Sequence, residues 1–479
     1  MIDQPLWNHQ KEGITRALSL DHFGFFFEAG TGKTRTVIEV FRRKCASEGR
    51  LLRTLILAPQ VVLNNWKIEF AKYSKIKPED IIILKGPGKE RVRLLREGGG
   101  TGDTPQAKIF LTNYESLLME DLWEGFAAYG FECLVADESH RVKNPASKRT
   151  KALLRLSFAA KYKYILSGTP MLQSLLDLFS QIQFLDGGKT FEPVGRNFNS
   201  FKKHFFEDLN ARAPSHVSWP NWQLRPGAEK EVSAKISLIT MSVKKSECLD
   251  LPPMVRKTIA VELSSEQKLH YGMMKKNFIT FLGDQACSAT LAITKALRLQ
   301  QIVSGFITLE DETIVPLKDN PRLDALEDVL EDLVIESGKK VIVWACWREN
   351  YRQIAEMLRR RKINFVEAHG EVPSAKRQAA IDAFCNETDV KVFLGNQGAA
   401  GIGINLVQAS YAVYYSRNFS LEHDIQSEAR NYRGGSEMHQ SVTRIDLVAQ
   451  GTIDEQILQA LASKKEIGDK VLRDMARHL

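Results

Sequence analysis

Cysteine is sparse and unpaired in this chain of 479 residues: Cys45, Cys133, Cys248, Cys287, Cys346 and Cys385 include no CxxC pair. That spacing argues against zinc and for reduced thiols in a cytoplasm. No apolar run reaches the roughly 20 residues that a membrane span needs. The opening Met1-Ile2-Asp3-Gln4-Pro5 lacks the basic and apolar regions of a signal peptide. Repeats and low-complexity tracts are also missing. Net charge is +8, which suits an anionic polymer partner but decides little alone. A 43% hydrophobic and 26% charged composition is that of an ordinary globular protein, and the length leads us to expect roughly two to four domains.

What is present is more specific. Phe27-Glu28-Ala29-Gly30-Thr31-Gly32-Lys33-Thr34 follows the apolar segment Phe23–Phe27 and opens a helix-like stretch, Lys33–Lys44. This is the pattern of a phosphate cradle. Gly30 and Gly32 let backbone N–H groups around Thr31 turn inward, Lys33 neutralises the β/γ-phosphates, and the Thr34 hydroxyl can ligate Mg²⁺. The strict pattern has glycine where Phe27 stands. A second apolar run, Cys133–Ala136, ends in Asp137-Glu138-Ser139-His140. Asp137 at a strand end can hold Mg²⁺, and Glu138 can polarise an attacking water. Together the two motifs specify a nucleoside-triphosphatase.

From Arg53 to Phe184 short apolar runs alternate with helix-period segments. The strand candidates are Thr54–Leu57, Ile81–Leu84, Ile109–Thr112, Leu134–Asp137 and Tyr164–Ser167. A second alternating block starts near Asn320, with strands at Val341–Ala345, Phe365–Ala368, Val392–Leu394, Ala412–Tyr415 and Ile445–Val448. Both blocks predict parallel sheets covered by helices. Only the first carries a phosphate loop, which suggests a nucleotide gripped between two lobes. Gly98–Asp103 reads as a surface loop. Residues 191–318 read as mainly helical, with long helical periods at Phe198–Leu209 and Ser264–Ile307. Trp219 and Trp222 flank Pro220 there; packing is favoured over a DNA wedge.

In order along the chain, the motifs resemble helicase superfamily two and, more narrowly, its Swi/Snf-type DNA translocases. The resemblance runs from Leu6 to the C-terminal helix. Leu6 through Gln10 is similar to the adenine-recognition segment, with Gln10 the candidate because an amide can bond both edges of the base. Ala58-Pro59 and Asn65-Trp66 resemble the first DNA-tracking motif, and Leu111-Thr112-Asn113 the second. The resemblance therefore implies DNA contacts at Pro59, Asn65, Thr112 and Asn113. His140 through Asn144 continues the acidic pair as this family does. Ser167-Gly168-Thr169-Pro170 resembles the coupling motif, which implies that His140, Ser167 and Thr169 relay nucleotide state.

In the second block, the segment ending at Trp347 and the pair His369-Gly370 resemble further motifs of the family. Asn396-Gln397 followed by Ala399–Leu406 resembles another, but Asn396, Gln397 and Gly398 stand where the family usually has Ser-Thr-Lys/Arg, so one expected positive charge is missing. The resemblance implies DNA contacts at Trp347, His369, Asn396 and Gln397, and a nucleotide contact at Gly403. Gln426, Arg430 and Arg433 have helical spacing, which predicts one face of a helix. Arg430 and Arg433 are the arginine-finger candidates, with Gln426 beside them.

The resemblance thus implies an α/β fold of two RecA-like parallel-sheet lobes with helical insertions. The expected divisions are 1–190 with the phosphate loop and acidic motif, 191–318 as a mainly helical region, and 319–479 with the arginine fingers. It implies ATP and Mg²⁺ as cofactors, duplex DNA as track, a monomer, and the cytoplasm of a bacterial, archaeal or virus-infected cell. The expected catalytic set is Glu138, Lys33, Gln426, Arg430 and Arg433, and the expected activity is ATP-driven translocation on double-stranded DNA. A strand-separating or branch-migrating helicase is the alternative, and an ATP-gated clamp a weaker one.

Overall fold

The computed structural model describes residues 5–99, 106–211, 222–284, 289–309, 311–398 and 404–477. Trp219, Gly403 and most of the Gly98–Asp103 stretch lie outside them. Two compact units result. One comprises residues up to Leu249 together with the chain end from Lys464, and the other Asp250–Ser463.

The first unit is built on β1 (His22–Phe27), β2 (Thr54–Leu57), β3 (Ile81–Ile83), β4 (Ile109–Thr112), β5 (Cys133–Asp137) and β6 (Tyr162–Leu166). A small antiparallel pair, β7 (Phe206–Asp208) and β8 (Trp222–Leu224), precedes the edge strand β9 (Thr240–Val243). The main sheet is parallel throughout, in the order β3-β4-β2-β5-β6-β1-β9. Helices α1 (Asn8–Leu18), α2 (Lys33–Ser47), α3 (Leu63–Tyr73), α4 (Gly88–Gly99), α5 (Glu120–Tyr129), α6 (Lys148–Ser157) and α7 (Leu178–Asp186) belong to this unit.

Both faces of the sheet are dry, which is why its strands read as continuous apolar runs rather than alternating ones. Phe26, Leu55, Phe110 and Leu134 lie in one core, and Phe25, Ile56, Leu111 and Val135 in the other. Gly24 pairs with Thr240, and a Cβ on it would come within 2.7 Å of the Thr240 methyl. A side chain there would push β9 off the sheet. Phe27 is the last residue of β1 and is fully buried, edge-on to Phe25. Its ring fills core space, which accounts for the missing glycine of the phosphate-loop pattern.

The second unit contains β10 (Met254–Val261), a short hairpin of β11 (Phe306–Thr308) and β12 (Ile314–Pro316), then β13 (Val341–Ala345), β14 (Phe365–Ala368), β15 (Val392–Asn396), β16 (Tyr411–Tyr414) and β17 (Val442–Ala449). Its sheet order is β10-β17-β16-β13-β15-β14, again all parallel. The two RecA-like parallel-sheet lobes expected from the sequence are these units.

The stretch read as mainly helical contributes an edge strand to each sheet. β9 is four residues long and β10 is largely exposed, so neither has the apolar density that marked the inner strands. Phe198–Leu209 is helical only to Phe205, where β7 begins. Trp222 packs against the first unit's core, with the Lys202 ammonium 4.0 Å from its ring centre. Among the described residues, no helix is long and apolar enough to cross a membrane.

Candidate nucleotide site and motor motifs

β1 delivers the chain to the loop Glu28–Gly32, which turns into α2 at Lys33. Gly30 and Gly32 have φ of +89° and +82°, a region side chains avoid. At Gly32 a Cβ would also lie 2.2 Å from Gln10 Nε2. The loop is pinned from beneath: the Thr31 hydroxyl donates to the Glu28 carbonyl at 2.8 Å, and His9 Nε2 lies 2.9 Å from the Thr31 carbonyl. Lys33 Nζ donates to the Phe27 carbonyl at 2.8 Å, and half-buried Thr34 follows it in the first turn of α2. Gln10 is buried. Its Oε1 accepts from the Trp7 N–H (2.9 Å) and its Nε2 donates to the Gly32 carbonyl (3.3 Å). One end of this amide therefore caps the start of α1 and the other braces the loop.

β5 ends at Asp137, which is 8% exposed. Its Oδ2 accepts from Trp66 Nε1 at 2.9 Å and its Oδ1 from the Glu138 N–H at 3.0 Å. Burial, reinforced by the neighbouring Glu138 charge, raises its carboxyl to about 6 against the opposing pull of the Trp66 hydrogen bond and the Lys33 ammonium. The phosphate-loop lysine and the strand-end acid therefore share one electrostatic environment. A carboxylate at Asp137 and a hydroxyl at Thr34 are hard oxygen donors of the kind Mg²⁺ takes. Glu138 adopts φ +50°, ψ +54°, a left-handed conformation rare for a residue with a side chain. That turn carries its carboxylate away from the line of the strand.

The turn after Glu138 is wired to the Ser167–Pro170 segment. His140 Nδ1 lies 3.5 Å from Glu138 Oε2 and 3.2 Å from Ser167 Oγ, which also accepts the Thr169 N–H at 3.1 Å. Ser139 Oγ donates to Gln181 Oε1 at 2.6 Å, while Gln181 Nε2 donates to the Pro170 and Asp177 carbonyls. Asp177 Oδ2 in turn accepts the Leu172 and Gln173 N–H groups, both at 2.8 Å. A Cβ on Gly168 would sit 3.3 Å from the Phe27 carbonyl, so this turn also abuts the phosphate loop. Gln181 and Asp177 escape the sequence reading. Leu178–Leu185 carries two amides, Gln181 and Gln183, and only the fold shows that Gln181 is the buried one, which needs partners.

Asn65 is exposed on α3, whereas Pro59 and Thr112 are buried. The Thr112 hydroxyl lies 2.6 Å from Ser116 Oγ, and Asn113 Oδ1 accepts from Arg91 Nη1 and Ser116 Oγ. Thr112 and Asn113 are thus held in a side-chain network with Arg91, a residue the motif reading does not include.

In the second unit, Asn396 Nδ2 donates to the Tyr351 hydroxyl at 2.8 Å, and the Tyr351 ring stacks on His369 with centres 4.2 Å apart. Tyr351 therefore joins two of the sequence-identified residues and is itself missed. Gln397 is buried, and Trp347 sits edge-on to Phe306 at 6.2 Å. Gln426 Nε2 donates to Glu422 at 3.3 Å. Arg430 and Arg433 both direct Nη1 at the Ile404 carbonyl, at 3.4 and 3.5 Å, and burial lowers the pKa of Arg433.

The helical face expected to carry Gln426, Arg430 and Arg433 does not extend that far. The helix Leu421–Glu428 stops before both arginines. The Leu406 N–H takes the Arg430 carbonyl at 2.9 Å, the acceptor the next helical turn would need, and buried Asn431 bonds the Ala409 carbonyl. The arginines are brought together by the Ile404–Leu406 segment instead.

A family model described as the SNF2-related domain matches residues 9–305, and one described as the helicase conserved C-terminal domain matches residues 322–435. The chain is 24% identical to putative protein p41 of Acyrthosiphon pisum secondary endosymbiont phage 1, covering 97% of each. It is 26% identical to the uncharacterized ATP-dependent helicase MG018 of Mycoplasma genitalium over 98% of this chain and 42% of that protein. Identity to the Arabidopsis thaliana CHD3-type chromatin-remodeling factor PICKLE is 25%, over 92% of this chain and 32% of the relative. The chain thus spans almost all of the phage protein but less than half of the two cellular ones. The Sulfolobus solfataricus SWI2/SNF2 ATPase core in complex with dsDNA aligns over 98% of this chain and 97% of that one, with 22% identity and a TM-score of 0.44.

Proposed function

This chain belongs to the SNF2-related family, and we propose that it hydrolyses ATP to translocate along double-stranded DNA. The observation that carries the reading is the wiring of the acidic turn to the Ser167–Pro170 segment beside the phosphate loop. A motor needs the state of its nucleotide to be felt elsewhere, and this network links the acidic turn to a separate loop.

In this reading Gly30, Thr31, Gly32 and Lys33 hold the phosphates by backbone N–H groups and an ammonium. Thr34 and Asp137 are the Mg²⁺ ligands; bound there, the ion would neutralise phosphate charge. Glu138 orients the attacking water and accepts its proton. Arg430 and Arg433 supply the planar guanidinium charge that a developing γ-phosphate requires, after exchanging the Ile404 carbonyl for phosphate oxygens. Gln10 is the adenine contact: beyond its bonds to Trp7 and Gly32 the amide keeps a second N–H and a second lone pair, which can meet both edges of the base. Asn65, His369, Asn396 and Gln397 are the track contacts, with Thr112 and Asn113 setting the backbone from which such contacts are made.

ATPase rates measured side by side with duplex DNA, single-stranded DNA and RNA test the proposal, together with displacement of a triplex-forming strand. Duplex-stimulated hydrolysis and ATP-dependent triplex displacement, without unwinding of a forked duplex, are expected. Stronger stimulation by RNA than by duplex DNA would contradict it. The packed position of Trp222 beneath Lys202 favours translocation over strand separation, since a wedge needs a free ring.

A further inference from the structure

α3 presents two faces with different partners. Leu63, Trp66 and Phe70 are buried on one, while Asn64, Asn65 and Ile68 are exposed. Trp66 is 1% exposed, and its only polar atom donates to Asp137 Oδ2 at 2.9 Å. Among the described residues, the other oxygen of that carboxylate accepts a single donor, the Glu138 N–H. An ionised carboxylate has about four lone-pair directions, so these two bonds fix its orientation and leave room for a cation. Trp66 directly follows Asn65 in the same helix. Whatever grips Asn65 therefore acts on a rigid element whose buried side holds the metal-binding acid.

We propose that Trp66 is a positioning residue through which engagement of the DNA track at α3 sets the orientation of Asp137. The proposal rests on the assignment of Asp137 as metal ligand and of Asn65 as track contact made above. Small movements suffice. A hydrogen bond of this kind fails beyond about 3.5 Å, so a helix shift of about 0.6 Å releases the carboxylate. Duplex bound against Asn65 holds α3 seated, and the indole keeps the Asp137 carboxylate aimed where it would hold a metal ion. Without the track only core packing at Leu63, Trp66 and Phe70 holds α3, and hydrolysis stays at its basal rate. The alternative is that the indole merely satisfies its own N–H while filling the core beside Phe70.

Two substitutions separate these. Trp66→Phe removes the N–H and keeps an aromatic ring. Replacement of Trp66 by 3-benzothienylalanine removes only the N–H and keeps the bicyclic shape. One measurement is the affinity for Mn²⁺ in the presence of ADP, read from the electron paramagnetic resonance of free ion, with and without duplex DNA. The other is the ratio of duplex-stimulated to basal hydrolysis. A hydrogen bond to a charged group is worth about tenfold or more in an equilibrium constant. Both variants are therefore expected to bind Mn²⁺ about tenfold more weakly and to lose most of the duplex stimulation, while binding duplex itself as before.

Wild-type behaviour of the benzothienyl variant in both measurements overturns the proposal, whatever happens to the phenylalanine variant. So does weakened Mn²⁺ binding with an intact duplex response, because Trp66 would then hold Asp137 without reporting the track. If the unsubstituted chain shows no duplex stimulation, the translocase reading itself fails. A response present in the unsubstituted chain and missing from both variants is the result the proposal requires.

Discussion

Ser139 Oγ donates to Gln181 Oε1 across 2.6 Å, and both residues are fully buried. The first follows the acidic pair and the second lies in α7, 42 residues later. Through its other atom Gln181 bonds the Pro170 and Asp177 carbonyls. One side-chain amide thus holds three separate backbone segments in register around the end of β5.

Gln181→Leu keeps most of the volume and removes every one of these bonds. Stranding a buried hydroxyl and two carbonyls should cost about 3–9 kcal/mol, taken from penalties of about 1–3 kcal/mol for each of the three unsatisfied groups. Urea unfolding of the two proteins reads this difference. Among molecules that remain folded, hydrolysis should fall more than ATP affinity, since the amide orders the turn rather than the phosphate loop. Equal stability of the two proteins would show that the network contributes nothing.

Glu138→Gln should bind ATP yet hydrolyse it about a hundredfold or more slowly, because the amide cannot accept the proton of the attacking water. Lys33→Ala should weaken nucleotide binding as well. Single-turnover hydrolysis beside an equilibrium binding titration distinguishes the two. Near-normal turnover in Glu138→Gln would remove the assigned base.

Arg433→Ala should leave ATP affinity within a few fold and lower kcat by about three orders of magnitude. Arg433→Lys should rescue poorly, since an ammonium lacks the planar fork that two phosphate oxygens can share. A fully active lysine variant would mean that charge alone is enough.

Asp137 ties stability and function to pH with opposite signs. Its carboxyl is raised to about 6, from an ordinary value of 3.8, by burial and the Glu138 charge. Keeping it ionised therefore destabilises the fold above about pH 6, and that cost is relieved as pH falls through the folded value towards the unfolded one. Metal-nucleotide binding needs the ionised form and should weaken over the same interval. Asp137→Asn should flatten the pH dependence of the nucleotide-free thermal midpoint between pH 7.5 and 5. Glu138→Gln should move the loss of Mg²⁺·ADP binding to lower pH. An unmoved binding profile would mean that the two carboxyls do not interact.

Asn396, Gln397 and Gly398 stand where the resemblance leads us to expect a Ser-Thr-basic run, and all three are neutral. Asn396→Ala and Gln397→Ala should lower DNA affinity while leaving the slope of log affinity against log salt nearly unchanged. Each lost ionic phosphate contact would shift that slope by about 0.9 on a duplex. A change of that size in either variant would show that charge is displaced at this position after all.

The parts of the molecule that were readable from sequence are those whose physics is local and dense. Inner strands such as Leu134–Asp137 and Val341–Ala345 are buried on both faces and announce themselves as apolar runs. The phosphate loop is legible because Gly30 and Gly32 occupy backbone regions few other residues tolerate. The edge strands are not, since β10 has one neighbour and a largely exposed surface that reads like any charged segment. The helix end at Glu428 is set by a bond from Leu406, more than 20 residues earlier, which no local pattern encodes. For the same reason the partners Trp66–Asp137 and Asn396–Tyr351 are visible only once the chain is folded.

The left-handed backbone at Glu138 sets foldability against turnover. Such a conformation costs a side-chain-bearing residue about 1 kcal/mol or more, and glycine far less. Glu138→Gly is therefore expected to fold at least as well as the parent chain while being unable to activate water. Protein quality control, which removes chains that unfold, has no means of recognising such a copy. The inert protein would accumulate beside its active siblings and stay on whatever track it can still grip. A lesion at this one turn would thus act as a roadblock rather than a simple loss.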